Sequence, residues 1–227
     1  MSKVFLRSLL FTGLCAFTLS LAQPAQAIVI LSNLPAAGSN TGTALGLDIN
    51  GNVRIKAVGL TVGANDLSFT SMSGLFSNRD NVVRSVTGGI FSDVGGDPGG
   101  QLVAFNPASV AAGAVAVQET LTAVSAFTLM AGTSYWFVLK GPAVVNGLIW
   151  SSRSSLGANL PPTPSAEVSY DGYRSSIDGG ANWSVSGLYN NVEIEASRIV
   201  DLPEPGTLAL FGLGLLGLGI ARRRVRA

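Results

Sequence analysis

The chain has 227 residues, a formal net charge of +1, one cysteine and no histidine. Charged residues make up only 12% and apolar residues 47%, which excludes a charge-rich disordered protein that could not form a core. The absence of histidine excludes histidine-based catalysis and histidine zinc sites, and the balanced charge argues against a nucleic-acid-binding protein. The 28 glycines favour β structure with many turns over long helices.

The first 27 residues have the three parts of a secretory signal peptide. Two basic residues precede an apolar stretch of about a dozen residues, which is short for a membrane anchor of about 20. Ala25 and Ala27 then supply the small-x-small pattern that signal peptidase recognises. We therefore predict a signal-peptide helix, cleavage after Ala27 and a mature chain that begins at Ile28. The single cysteine, Cys15, lies in the removed segment, so the mature chain has no disulfide.

Residues 28–200 are predicted to form a single all-β domain. Apolar and polar residues alternate at period two, most clearly in 53–58 and 191–196, and no stretch keeps a helical period for three turns. Many short strands between turn residues favour one β-sandwich or jelly-roll-like domain. Pro161–Pro164 is interpreted as an extended connection rather than a domain boundary. The further strand candidates are 66–70, 82–92, 101–105, 114–121, 124–130, 133–140, 146–151 and 166–170.

Two pairs of carboxylates are candidates for chemistry. Asp93 and Asp97 lie in a glycine-rich loop whose oxygen atoms suit Ca²⁺, although a turn around Pro98–Gly99 explains the loop without a metal. Asp171 and Asp178 are candidates for the two acids that flank the scissile bond in a glycosidase. Calcium binding stays open at this point. We expect the chain to have no catalytic residue, no bound metal and no cofactor.

The segment Ser176–Trp183 has the pattern Ser-x-Asp-x-Gly-x-Asn-Trp and resembles the Asp-box turn of sialidase-like proteins. The resemblance implies that Asp178 caps a hairpin by accepting backbone hydrogen bonds and that Trp183 packs beneath it, with Gly180 in the same turn. Asn182 stands where those turns usually have threonine. We predict a structural turn here, because a single copy implies neither a propeller nor a sialidase.

Six aromatic residues offer an alternative function in sugar binding. Exposed on one face of a sandwich, they would stack on sugar rings, whereas aromatic residues at strand spacing are more often part of the core. Tyr135 and Trp136 are neighbours on a predicted strand and point to opposite faces, so only one of them is expected in the core. The six residues are Trp136, Trp150, Trp183, Tyr135, Tyr170 and Tyr173.

The last segment, residues 201–227, has three consecutive parts. Pro203-Glu204-Pro205 comes first, and a glycine- and leucine-rich apolar stretch of about 15 residues follows, which predicts a short transmembrane helix. A cluster of arginines ends the chain and is expected to stay in the cytoplasm and stop translocation. These arginines are Arg222, Arg223, Arg224 and Arg226.

This segment resembles the PEP-CTERM protein-sorting signal of Gram-negative bacteria. The resemblance implies recognition by a membrane exosortase and cleavage near Pro203-Glu204-Pro205. It also implies release or attachment at the cell surface, and an association with exopolysaccharide and biofilm matrix. A C-terminal apolar tail that is removed after export acts as an address, as in a GPI signal.

Two segments of the body resemble the choice-of-anchor R domain, a β-sandwich of surface proteins with interchangeable anchoring tails. Residues 90–102 contain Ser-Asp followed by Gly-Gly-x-Pro-Gly, and residues 127–139 contain Ala-Gly-Thr-x-Tyr-Trp. Leu31–Leu34 fits the usual opening, whereas the spacing between residues 66 and 88 is longer than in that domain. The resemblance implies a fold and a surface location, and it brings no established activity.

Together these patterns predict an exported protein that is transiently anchored in the inner membrane and then reaches the cell surface or extracellular matrix. The expected role is structural or adhesive, in contact with exopolysaccharide or biofilm, and the chain is not expected to be an enzyme. The expected partners are signal peptidase, exosortase and the membrane, without nucleic acid. The alternatives are a secreted carbohydrate-binding module, indicated by an exposed aromatic strip, and a glycan-active enzyme, indicated by acids about 5–10 Å apart in a cleft.

Overall fold

The computed structural model describes residues 26–34, 41–145, 147–152 and 160–199. All regular secondary structure in these ranges is β, which confirms that the domain is all-β. The apolar part of the predicted signal peptide and the predicted C-terminal helix lie outside the described residues. Within the described ranges, no helix is long and apolar enough to span a membrane.

Fifteen strands are present in the described part of the chain. They are β1 (Ala27–Ser32), β2 (Gly42–Leu47), β3 (Val53–Val62), β4 (Leu67–Asn78), β5 (Arg84–Val94), β6 (Asp97–Ala104), β7 (Ala108–Val110), β8 (Val117–Leu121), β9 (Thr128–Leu129), β10 (Ser134–Lys140), β11 (Leu148–Ser151), β12 (Thr163–Pro164), β13 (Val168–Ser176), β14 (Ser184–Ser186) and β15 (Val192–Arg198).

All ten predicted strands have an observed counterpart, and several are longer than predicted. Five strands were missed: β1, β2, β7, β12 and β14. The proline-rich segment contains one of these, because Thr163 and Pro164 pair with Ser32 and Leu31 of β1. Proline is tolerated there because β12 is an edge strand, where a missing N–H costs no ladder hydrogen bond.

Hydrogen bonds join the strands into one open sheet with the main order β12-β1-β15-β4-β11-β2-β3-β10-β5-β6. The sequence predicted a sandwich, and the difference lies in the hairpin between β2 and β3. There Gly46 pairs with Arg54 and Leu47 with Val53, so the ladder continues from one half of the sheet to the other. β13 extends the second half by pairing with the other edge of β3.

Both halves of the sheet contribute to one apolar core. The ring of Phe69 on β4 lies 5.7 Å from that of Phe137 on β10, and the ring of Trp150 on β11 lies 5.8 Å from that of Tyr173 on β13. These centroid distances are typical of favourable aromatic pairs. The main core therefore fills the space between the β4–β11 half and the β10–β13 half.

A second apolar cluster lies on the opposite face of β3, β5 and β10. Tyr135 belongs to the main core and Trp136 to this second cluster, in keeping with the alternation of side chains along a strand. Trp136 is only 1% exposed, so the expectation that just one of the two would be buried is wrong. Its indole is covered by the Arg174 guanidinium, 5.0 Å from the ring. The cluster comprises Ile55, Ala57, Phe91, Trp136 and Val138, with Trp183 packed against it.

Candidate functional site

The turn between β13 and β14 is built around Asp178. Its carboxylate accepts hydrogen bonds from the Asn182 side chain at 2.6 Å, the Asn182 backbone N–H at 2.9 Å and the Ser176 hydroxyl at 2.7 Å. These donors, led by the Asn182 side chain, hold the pKa of Asp178 well below its usual range. Gly180 has a φ of 100°, which glycine adopts without a Cβ penalty. Trp183 is partly buried and packs against the second apolar cluster.

A turn with the same hydrogen-bond pattern, which the sequence analysis missed, joins β2 to β3. Asp48 accepts hydrogen bonds from the Asn52 side chain and backbone N–H, both at 2.9 Å, and from the Asn50 N–H at 2.8 Å. Arg54 adds an ion pair at 3.1 Å. These partners, led by the Asn52 side chain, lower the pKa of Asp48 to about 2. The spacing Asp-x-x-x-Asn is common to both turns and was the signal that could have revealed this one.

The two turns lie side by side. The Gly179 N–H donates to the Val53 carbonyl at 2.9 Å, and Val53 forms a parallel bridge with Asp178. Val53 directly follows the first turn. Both carboxylates are therefore engaged in closing the turns, and the hydrogen bonds between the turns hold them at one end of the sheet.

The hairpin between β5 and β6 differs from its predicted form. The turn lies at Gly95 and Gly96, with φ values of 65° and 89°, rather than around Pro98–Gly99, which belong to β6. A two-residue hairpin with positive φ at both central positions matches the twist of the flanking strands, and two glycines allow it. Pro98 is accommodated because β6 is an edge strand.

Asp93 and Asp97 each have protein donors. Asp93 accepts hydrogen bonds from the Trp136 indole N–H at 2.7 Å and the Gly96 N–H at 3.2 Å, and Asp97 accepts one from Arg174 at 2.6 Å. The described residues contain no group of three or more histidine, cysteine, aspartate or glutamate side chains that could hold a metal. The two carboxylates thus link the hairpin to Trp136 and to the arginine that covers it.

A shallow cleft of about 380 Å³ lies beside this hairpin. It is lined mainly by hydroxyl-bearing residues together with the Asp93 carboxylate and the half-exposed Leu102. The Ser134 hydroxyl at its edge lies 2.6 Å from the Thr61 hydroxyl, which donates to Asp171 at 2.6 Å. The full lining is Ser92, Asp93, Leu102, Gly132, Thr133, Ser134 and Tyr135.

Asp171 and Asp178 do not converge. Both follow the line of β13, where Ser169 pairs with Thr61 and Asp178 bridges Val53 at the other end of β3. Seven residues of extended chain span roughly 20 Å, whereas the two acids of a glycosidase lie about 5–10 Å apart. The structure therefore does not assemble this pair as a hydrolytic site.

The six aromatic candidates do not form an exposed strip. Trp150 and Tyr173 have no exposed surface, and Tyr135 and Trp136 are 4% and 1% exposed. Tyr170 and Trp183 are partly buried and pack against the two apolar clusters. Stacking of a sugar ring on these side chains would require a change in their packing.

Lys56 is a buried cation that the sequence analysis did not single out. It is 1% exposed, and its ammonium donates to the Thr43 hydroxyl at 3.1 Å and the Leu188 carbonyl at 2.5 Å. The nitrogen lies 5.1 Å from the centroid of the Tyr173 ring. Burial lowers the pKa of Lys56 to about 7, and burial raises the pKa of Tyr170 and of Tyr173. The alternation of β3 places this lysine on the core side, which only the fold makes visible.

The C-terminal segment of the chain matches a known family model. Residues 201–224 match the PEP-CTERM protein-sorting motif. The match includes Pro203-Glu204-Pro205 and the first three arginines, and it begins three residues after the last strand ends at Arg198. The motif implies export and a location in the envelope or at the surface of a Gram-negative bacterium. No curated protein matches the chain.

The sorting residues themselves lie outside the described residues, as does Ala25 of the predicted signal-peptidase site. Ala27, the other residue of that site, begins β1 and pairs with Ser197 of β15. The predicted cleavage after Ala27 would therefore leave β1 with its remaining residues in the sheet. The roles of these residues in processing stay predictions.

Proposed function

We propose that this chain is a surface or matrix component that exosortase sorts through its C-terminal signal. The observation that carries the proposal is the PEP-CTERM match at residues 201–224, directly after a folded β domain. Signal peptidase would act first at the N-terminus, and exosortase would then act near Pro203-Glu204-Pro205. The domain is the cargo of this pathway.

The chemistry of the tail suits a transient signal. Pro203 and Pro205 restrict the chain to extended conformations, which a protease requires of its substrate. The predicted helix of about 15 residues would be roughly 22 Å long, less than the ~30 Å hydrocarbon core. Many glycines make this helix a marginal permanent anchor, so removal after sorting accounts for its composition better than lifelong anchorage does.

We further propose a structural or adhesive role for the domain, in contact with exopolysaccharide or biofilm matrix. Support comes from the separation of Asp171 and Asp178 and from the internal hydrogen bonds of Asp48 and Asp178. The apolar core shared by the two halves of the sheet suits a stably folded structural component.

One observation favours carbohydrate binding as a second candidate function. The cleft beside the β5–β6 hairpin offers a carboxylate and several hydroxyls, which are suitable partners for the hydroxyls of a sugar. A glycan array with the 28–200 domain tests this. Binding of the domain to a glycan that is lost in the Asp93→Ala variant would favour carbohydrate binding. If the domain binds no glycan on the array, the structural role without carbohydrate binding is favoured.

Processing is tested by Glu204→Ala in a host that expresses exosortase. The variant is expected to stay full-length and membrane-bound, while the wild-type chain loses its arginine-rich end. Asp201→Ala is the matched control, because it removes a neighbouring acidic residue without changing Pro-Glu-Pro. Mass spectrometry of the surface fraction measures the C-terminus. Intact Arg222–Ala227 on wild-type surface protein would show a lasting anchor and contradict the proposal.

A further inference from the structure

The cleft beside the β5–β6 hairpin has a lining of uniform chemical character. Three of the seven described residues that line it are serine or threonine, one is aspartate, and none is a lysine, arginine, asparagine or glutamine. Its volume of about 380 Å³ lies at the lower end of the range for small-molecule sites, about 300–1,000 Å³. A ligand in this cleft is therefore small and meets mainly oxygen atoms.

The Asp93 carboxylate in the cleft keeps acceptor capacity and has no cation paired with it. It accepts one hydrogen bond from the Trp136 indole and one from the Gly96 N–H, whereas an ionised carboxylate has about four acceptor positions. The guanidinium over Trp136 is that of Arg174, which pairs with Asp97 at 2.6 Å. Among the residues that the structure describes, no ion pair involves Asp93. Its negative charge is thus available to a ligand.

The Ser134 hydroxyl lines the cleft as an acceptor. The Asp171 carboxylate can only accept, so the Thr61 hydroxyl gives its single proton to this carboxylate, 2.6 Å away. The 2.6 Å contact between the Thr61 and Ser134 hydroxyls then requires Ser134 to be the donor. Because its proton is used in this way, the Ser134 oxygen offers a ligand only its lone pairs.

Other donors along the lining are also directed at protein oxygens. The Thr133 N–H donates to the Met130 carbonyl at 3.2 Å, and the Thr133 hydroxyl is directed at the Ala131 carbonyl at 3.4 Å. The Ser92 hydroxyl is directed at the Gly100 carbonyl at 3.4 Å and accepts from the Gly100 N–H at 3.1 Å. The cleft therefore presents mainly acceptors, and it favours a ligand that supplies the protons.

We propose that this cleft binds a sugar that carries a protonated amine, such as a deacetylated hexosamine unit of a polysaccharide. The ammonium group donates to Asp93 and neutralises its charge, and the sugar hydroxyls donate to the oxygens of Ser134 and Ser92. Leu102, which is 48% exposed, offers an apolar side chain to the C–H face of the ring. A calcium ion suits the cleft less well, because it takes about six to eight oxygen ligands, several of them carboxylates. The inference rests on carbohydrate binding, the second candidate function, and narrows it to cationic sugars.

The experiment measures ligand binding to the full chain by isothermal titration calorimetry. It uses pH 5.5, where the amine of glucosamine is protonated, and a polyoxyethylene detergent, which carries neither charge nor sugar. The probe is the trimer of glucosamine. The trimers of N-acetylglucosamine and of glucose lack the charge, and spermidine has three amines without a sugar. Calcium chloride is titrated separately to test for a metal site.

Asp93→Asn is the test variant, because it removes the charge and keeps an oxygen that can accept from the Trp136 indole. Glu119→Gln is the matched control, since it removes an equal charge from β8, which pairs with β4 in the other half of the sheet. Near-ultraviolet circular dichroism reports whether the surroundings of Trp136 are unchanged in Asp93→Asn. If they are not, the ligand series on the wild-type chain still tests the proposal.

The wild-type chain is expected to bind the glucosamine trimer about tenfold or more tightly than either neutral trimer, because hydrogen bonds to charged groups are the stronger ones. This preference should be lost in Asp93→Asn and kept in Glu119→Gln. A folded Asp93→Asn variant that keeps the preference would overturn the proposal. So would spermidine binding as tight as that of the glucosamine trimer, or calcium binding that depends on Asp93.

The remaining outcomes separate this inference from the proposed function. Equal binding of the charged and neutral trimers would overturn the inference and leave carbohydrate binding in place. If no trimer binds, both the inference and carbohydrate binding are wrong. Sorting by exosortase takes no part in these measurements, so the sorting proposal is tested independently by Glu204→Ala.

Discussion

We expect Lys56 to make the stability of the domain depend on pH in a range where few other groups titrate. In the fold its ammonium has a hydroxyl, a carbonyl and the Tyr173 ring as neighbours, but no carboxylate among the residues that the structure describes forms an ion pair with it. Burial therefore lowers its pKa from 10.5 to about 7. The absence of histidine removes the usual titration between pH 6 and 8. A change of pH should therefore alter the stability of the wild type much more than that of Lys56→Met.

The sign follows from proton binding. Between pH 7 and about 10 the unfolded chain keeps the Lys56 proton, whereas the folded chain has released it. The unfolded state then binds more protons, so the free energy of unfolding rises with pH. From pH 7 to 9 the rise amounts to about 2 kcal/mol for a folded pKa of about 7. For a domain of this size that corresponds to a Tm increase of roughly 4–8 °C.

Differential scanning calorimetry of the domain without signal peptide and tail, at pH 6 to 9, measures this slope. Higher pH is avoided, because burial raises the pKa of Tyr170 and Tyr173 and their ionisation on unfolding would lower stability. Lys56→Met keeps an unbranched apolar chain and should give a nearly flat profile. Lys140→Met is the control, because Lys140 lies on the outer face over Phe91. This variant should keep the wild-type slope.

Two results would refute the reasoning. A wild-type Tm that stays constant or falls between pH 7 and 9 would mean that Lys56 keeps its proton in the fold. An equal slope in wild type and Lys56→Met would assign the dependence to another group. The absolute stability of Lys56→Met is not the test, since the Leu188 carbonyl and the Thr43 hydroxyl lose a donor in this variant.

Three further outcomes are expected. Gly59→Ala should destabilise the domain by roughly 1–3 kcal/mol, because a Cβ would approach the buried Trp136 ring to 2.7 Å. Gly100→Ala is the control and should leave the stability unchanged, because no atom lies within 4 Å of a Cβ added there. Urea denaturation measures both. Asp48→Ala and Asp178→Ala should each lower the denaturation midpoint at pH 7, and an unchanged midpoint would remove the structural role of that turn. Wild-type stability should fall as the pH drops from about 4 towards 2. The lowered pKa of Asp48 means that its stabilising contribution is fully present above this range and is lost progressively within it. Circular dichroism melts at pH 2 and 5 measure the difference.

The sequence determined the class of fold because strand periodicity is local. The alternating segments 53–58 and 191–196 become β3 and β15, and each predicted strand has an observed counterpart, although several strands end well away from their predicted bounds. Strands without this signal were missed. Apolar and polar residues do not alternate along β1 and β2, and β12 contains a proline. The turn at Gly95–Gly96 was placed three residues too late because Pro-Gly is the stronger turn signal when strand pairing is unknown.

What only the tertiary structure decided is which side chains meet. The partner of Asp93 is Trp136, 43 residues away, and that of Asp97 is Arg174, so two candidate calcium ligands are engaged with other elements. Burial of Trp136 on the outer face required an arginine from a distant strand to cover it. The C-terminal sorting signal could be recognised from the sequence alone, because an apolar stretch and an arginine cluster act through their composition and their order along the chain. A binding surface depends on contacts between distant residues, and those exist only once the sheet has folded.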